Sequence, residues 1–101
     1  MAENERLFQT AVSIIHERLP RNSAVQSNFD EKLQLYGYYK QATGAVIGER
    51  PGVFDQLGRA KWDSWAKKRH YTPDQAKRLY VETLVKVCLA FATLDKDAEL
   101  D

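Results

Sequence analysis

One apolar stripe runs through the last third of the chain. Ala76, Tyr80, Leu84, Val87, Phe91 and Leu94 follow one another at steps of four, four, three, four and three residues. That spacing puts them on one side of an α-helix of about five turns. Immediately before it stands Thr72-Pro73-Asp74-Gln75. Thr72 is a helix cap, Pro73 suits the first helical position, where an amide has no partner to lose, and Gln75 completes a reciprocal capping box. The expected helix covers 73–94. A stripe this long must be buried by other elements, and no segment alternates as a half-buried strand would.

Three more helical segments precede it. Leu7, Ala11, Ile14, Ile15 and Arg18 recur at helical steps over about 3–19, and Pro20 stops the run. Ser27, with Asp30 three residues on, is a plausible cap for a second helix over 28–43, ended by Gly44. Its rows are Leu35, Tyr38 and Ala42, and Leu33, Tyr36 and Lys40 with Tyr39 beside them. A connection from Ala45 to about Gln56 contains Gly48, Pro51 and Gly52, and connections of that length are often functional. A short third helix over 57–69 would turn Leu57, Ala60 or Lys61, Trp62 and Trp65 inward. The expected core includes Leu35, Trp62 or Trp65, Leu84, Val87 and Phe91. The fold class is therefore all-α, a four-helix bundle.

Composition narrows the setting. The 101 residues fit one domain, 1–101, and 44% hydrophobic with 29% charged residues is globular, not disordered. The one cysteine, Cys88, lies in an apolar run and reads as a buried, inert thiol in a reducing compartment. No stretch approaches the roughly 18 apolar residues of a membrane span. No signal core precedes the first helix, so a cytoplasmic location is expected. Net charge is +1 but uneven: 59–78 holds seven Lys/Arg against Asp63 and Asp74, while the tail over 95–101 is acidic and expected to fray. A local positive surface on a near-neutral chain fits a compact anionic ligand better than a long polyanion.

Nothing points to catalysis. His16 and His70 have no metal-ligand spacing with another His, Cys or acid, and there is no phosphate loop or nucleophile elbow. The sharpest constellation is Tyr36, Tyr39 and Lys40, at i, i+3 and i+4 on one helix. Aromatic planes can stack a purine while an ammonium and a phenol meet phosphate. Lys61 stands beside Trp62, and Tyr80 lies near Lys77 and Arg78. Each of these also has an ordinary reading, as core aromatic or solvated cation.

Four blocks, in order, resemble the acyl-CoA-binding protein (diazepam-binding inhibitor) family. They are Tyr36-Gly37-Tyr38-Tyr39-Lys40-Gln41-Ala42-Thr43, then Glu49-Arg50-Pro51-Gly52, then Gly58-Arg59-Ala60-Lys61-Trp62-Asp63-Ser64-Trp65, and the capped fourth helix with Ala76 and Tyr80. The third block is similar to a Gly-Lys-Ala-Lys-Trp-Asp-Ala-Trp type. The resemblance implies an up-down-down-up bundle that holds acyl-CoA in a shallow bowl, with no cofactor and no chemistry on the thioester. It implies that Tyr36, Lys40 and Lys61 bind the phosphate end, that Tyr39 lies against adenine, and that Tyr80 borders nucleotide and chain. Gly37 and Tyr38 belong to the same segment, with the core as an alternative surrounding for Tyr38.

The resemblance also marks departures. A family lysine on the first helix falls at His16, and another before the third block falls at Leu57. The loop between Thr43 and Glu49 is one residue shorter than usual, and the connection between the first two helices is longer. His16, Leu33 and Leu57 are thus further candidates at the ligand, with Arg59 an alternative cation. The expected partner is a medium- to long-chain acyl-CoA, carried by a monomer that binds no nucleic acid and does not insert stably in membranes. The rival expectation is a helical nucleic-acid-binding or protein-interaction module using the basic, aromatic face.

Overall fold

The computed structural model describes residues 2–15 and 29–100 of the chain, and the side chains of 3–15 and 29–89. Four helices lie in it: α1 (Ala2–Ser13), α2 (Phe29–Ala42), α3 (Gln56–Ala66) and α4 (Pro73–Leu100). No strand occurs among the described residues. The all-α bundle expected from the apolar periodicity is the observed architecture.

The helix ends follow local chemistry. At α4 the Thr72 N–H donates to Gln75 Oε1 (2.9 Å) and the Gln75 N–H to Thr72 Oγ1 (3.1 Å), the reciprocal box read from the sequence. At the end of α2 the chain turns through Gly44, whose φ of 72° a side chain would disfavour. The Gly44 N–H there donates to the Gln41 carbonyl at 3.3 Å. α3 starts one residue earlier than expected, because Asp55 caps it by accepting from the Gly58 N–H at 2.9 Å. It also stops earlier, at Ala66 instead of Arg69. The Lys68 N–H bonds to the Trp65 carbonyl (2.9 Å) and the Arg69 N–H to that of Ala66 (3.4 Å), a tightened last turn.

Three expectations need correction. The expected end of the fourth helix near Leu94 is passed, and α4 continues to Leu100. No glycine or proline interrupts it after Pro73, and Lys96, Ala98, Glu99 and Leu100 are good helix formers that offset acids at the unfavourable end of the helix dipole. The inward face of α1 is not centred on Leu7, which is 46% exposed, but on Phe8 and Ala11, both buried. Of two adjacent apolar residues only one can face the core, and the larger aromatic does. On α3, Leu57, expected to turn inward, is exposed, while Trp65, one of the two tryptophans expected in the core, is buried and Trp62 is half-buried. The expected end of the first helix beyond Ile15, the Ser27 cap, and the placement of Phe91 in the core lie outside the described residues or side chains.

Packing follows an uneven plan. α2 lies against both α3 and α4, while α1 lies against α4. The core comprises Phe8, Ala11, Leu35, Ala42, Ala76, Tyr80 and Leu84, with Val87 and Trp65 also buried. Cys88 is half-buried and packs on its edge, less enclosed than its apolar run implied. α1 meets α2 through rings: Phe8 stacks on Tyr39 with centroids 6.2 Å apart.

Candidate functional site

α2 carries most of the candidate residues, and the fold sorts them into three groups. The first is cationic. The Lys61 ammonium of α3 sits 4.9 Å from the centroid of the Tyr36 ring, and that of Lys40 sits 5.9 Å from it. Lys40 is also 5.8 Å from the Trp65 ring. All four side chains lie at the α2–α3 junction, within the range where a ring face attracts a cation. Among the described residues neither ammonium is ion-paired to a carboxylate. Two positive charges on one half-buried tyrosine are free to meet phosphate oxygens.

The second group is aromatic. Tyr39 is half-buried and meets Phe8 and Tyr80, its centroid 6.3 Å from that of Tyr80. Phe8 and Tyr80 pack edge to face at 5.2 Å. Tyr80 is 3% exposed, and burial, helped by the nearby Tyr39 phenol, pushes its hydroxyl up to about 12. This cluster joins α1, α2 and α4. The sequence placed Tyr36, Tyr39 and Lys40 on one helical face; the fold gives Tyr36 and Lys40 shared surroundings and sends Tyr39 to a different neighbourhood.

The third group lies on the other flank of α2. Tyr38 packs on Tyr71 and beneath the Lys68 ammonium, 4.9 Å from its ring. Burial raises the Tyr38 hydroxyl, with Tyr71 and Glu82 adding to the effect. Tyr38 is thus half-buried inside the fold. Gly37 is buried where α3 comes close: a Cβ there would lie 2.8 Å from Lys68 Cδ and 2.9 Å from both the carbonyl and hydroxyl oxygens of Ser64. Lys68 is only 5% exposed and donates to those two Ser64 oxygens, each at 3.2 Å. Burial, and secondarily Lys67, lowers its ammonium below the ordinary lysine value.

The remaining candidates are dispersed. Leu33 is half-buried, and its carbonyl accepts a short bond from the Ser64 hydroxyl, 2.6 Å. Leu57 points into solvent. Arg59 donates to the Pro51 carbonyl at 2.9 Å, so part of its guanidinium is engaged by the loop. His16 lies outside the described residues. A cavity of about 440 Å³ between the first turns of α1 and α4 is lined by Leu7, Asp74, Gln75 and Arg78 among others, and shares no residue with the three groups.

Several residues escaped the sequence reading. Lys68 reads as a surface lysine and gave no signal. Ser64 departs from the alanine of the similar block, a small signal of the slot it shares with Gly37. Gln41 was legible only as part of a motif. Its amide donates to the carbonyls of Arg69 (3.2 Å) and Tyr71 (2.7 Å), and its oxygen accepts from the Trp65 indole (3.2 Å). It holds α2 to the turn between α3 and α4.

Comparison with known proteins bears on the family and the fold. The family described as Acyl CoA binding protein matches residues 5–84. This chain belongs to the acyl-CoA-binding protein family. It is 40% identical over 78 residues to human acyl-CoA-binding domain-containing protein 4, covering 76% of this chain and 29% of that one. It is 37% identical over 97 residues to acyl-CoA-binding domain-containing protein 5 of Rattus norvegicus, covering 95% and 19%. The chain therefore spans less than a third of the length of these relatives. Among solved structures, an acyl-CoA-binding protein of Moniliophthora perniciosa superposes with a TM-score of 0.80 at 35% identity, covering 86% of this chain and 82% of that one. Acyl-CoA-binding protein 2 of Oryza sativa gives 0.77 at 27% identity, covering 90% and 95%. The fold is that of the family, as the four sequence blocks implied.

Proposed function

We propose that this chain binds medium- to long-chain fatty acyl-CoA thioesters without altering them, as a monomeric cytoplasmic carrier and pool former built on a single domain over 1–101. The observation that carries the reading is the pair of unpaired ammoniums, Lys40 and Lys61, on the Tyr36 ring. They are suited to the phosphates of the CoA head, through charge-assisted bonds. The aromatic group of Phe8, Tyr39 and Tyr80 supplies ring surface for adenine and the start of the chain. Each methylene taken from water contributes about 0.8 kcal/mol, so a long chain adds several. Among the described residues no group of three or more His, Cys, Asp or Glu side chains could hold a metal ion.

Titration calorimetry with palmitoyl-CoA, free CoA and a short oligonucleotide tests it. Palmitoyl-CoA should bind tightest and the oligonucleotide not at all. Lys40→Ala and Lys61→Ala should each weaken palmitoyl-CoA by roughly 1.5–3 kcal/mol, the range for hydrogen bonds to charged groups. Unchanged affinity in both variants, or preferential binding of the oligonucleotide, would overturn the proposal.

A further inference from the structure

The connection between α2 and α3 has no regular structure, yet it is fastened to α3 along its length. The Trp62 indole donates to the Gly48 carbonyl (2.8 Å), Arg59 to that of Pro51 (2.9 Å), and Arg50 grips Asp63 with two bonds of 2.9 Å. The Asp55 N–H closes a turn on the Gly52 carbonyl at 3.0 Å. The two central residues of that turn are Val53 and Phe54. Phe54 is 100% exposed, Val53 is 61% exposed, and Leu57, at the first turn of α3, is 56% exposed. A bare phenyl ring is thus held out in water by a segment whose ordering is already secured by four tethers.

The occupant of such a tip can be argued from its size and charge. Glu49, Arg50, Asp55 and Arg59 supply one acid for each base, so the tip offers no field for a polyanion or an acidic peptide. Three apolar side chains fall far short of the roughly 20–30 residues a side of a stable protein interface. A bilayer interface needs no complementary pocket and accepts a few apolar side chains a few ångströms deep. We propose that the Val53–Phe54 turn, with Leu57 beside it, is a wedge that enters the interfacial layer of a lipid bilayer reversibly. The inference does not depend on the ligand proposed above. Lys61 lies one helical turn beyond Leu57, so docking would bring the Tyr36 cluster near the membrane surface.

The test is co-sedimentation of the full chain with phosphatidylcholine vesicles containing no thioester. Wild type should partition weakly but measurably without phosphatidylserine, and this component should persist at high salt whether or not phosphatidylserine is added. Phe54→Ser should lower partitioning about tenfold to a hundredfold, the effect of withdrawing one large apolar side chain from an apolar layer. Val85→Ser, at an exposed valine of α4, should leave it unchanged. Circular dichroism should show all three folded, since neither substitution touches the core. Absence of partitioning, or equal partitioning of wild type and Phe54→Ser, overturns the proposal. So does binding that requires phosphatidylserine and vanishes at high salt, which would assign contact to the basic stretch. A concentration-dependent dimer abolished by Phe54→Ser, without vesicle binding, would make a second copy the occupant.

Discussion

Adding one methyl group at Gly37 should push two helices apart. The new Cβ would stand 2.8 Å from Lys68 Cδ and 2.9 Å from the Ser64 carbonyl and hydroxyl oxygens, where ordinary carbon contacts lie at about 3.5–4.0 Å. Lys68 is buried and cannot simply swing out, and the Ser64 carbonyl belongs to the α3 backbone. Overpacking of this kind costs about 1–3 kcal/mol. Alanine regains roughly 0.5–1 kcal/mol of helix propensity over glycine. The net expectation for Gly37→Ala is a loss of up to about 2.5 kcal/mol, centred near 1, and each kcal/mol lowers the midpoint of a domain this size by about 4–8 °C. Thermal unfolding followed by circular dichroism measures it. Gly37→Ala with Lys68→Ala should recover only part, since the Ser64 contacts persist. Because Tyr36 and Lys40 ride on α2 and Lys61 on α3, acyl-CoA affinity should fall alongside stability. A midpoint at or above wild type for Gly37→Ala would refute the close approach.

Three further outcomes are expected. Thr72→Ala removes one half of the α4 capping box and should cost about 1 kcal/mol in urea unfolding, with Gln75→Ala adding a smaller loss, because its Oε1 serves a separate donor, the Thr72 N–H. Tyr80 ionises at 10.0 in the ordinary state and at about 12 when folded, so only the unfolded chain releases this proton between those values. Stability should therefore fall as pH rises from 10 to 12, and Tyr80→Phe should flatten that limb of the melting curve; an unchanged limb would place the loss elsewhere. Lys68→Met keeps the unbranched stem and removes a buried ammonium, so it should match or exceed wild-type stability at neutral pH, because burying a charge carries a desolvation cost. A clear drop in the midpoint would mean the bonds to Ser64 outweigh that cost.

The fold was legible wherever backbone chemistry is local. Thr72, Pro73, Gln75 and Gly44 announce helix ends through bonds that close within a few residues, and the stripe from Ala76 to Val87 declares its own face. What escaped the sequence depends on distance in space. Nothing near Lys68 in the chain says that Gly37, 31 positions earlier, leaves a slot for its stem. Leu7 and Phe8 are equally apolar neighbours, and only α4 decides which turns inward. At the candidate site, Tyr36, Lys40 and Lys61 were each identifiable, but their meeting on one ring required α3 to lie on α2. Tyr39 parted from them because it lies about 100° from Lys40 and about 60° from Tyr36 around the helix, on the side that reaches α1 and α4.

α1 lies against the helix that comes last. Asn4 donates to the carbonyl of Asp74, 70 residues further on, and Phe8 finds Tyr80 only across a similar span. During synthesis, at about 5–20 residues per second, the first helix therefore waits roughly 4–14 s for its partner to be made. Through that interval the Phe8 and Ala11 face has only the Tyr39 ring of α2 to meet, whereas α2 and α3 can pair as soon as both exist. The last helix to appear thus gathers the first into the bundle, and a pause in translation before Thr72 would prolong the exposure of α1 in the nascent chain.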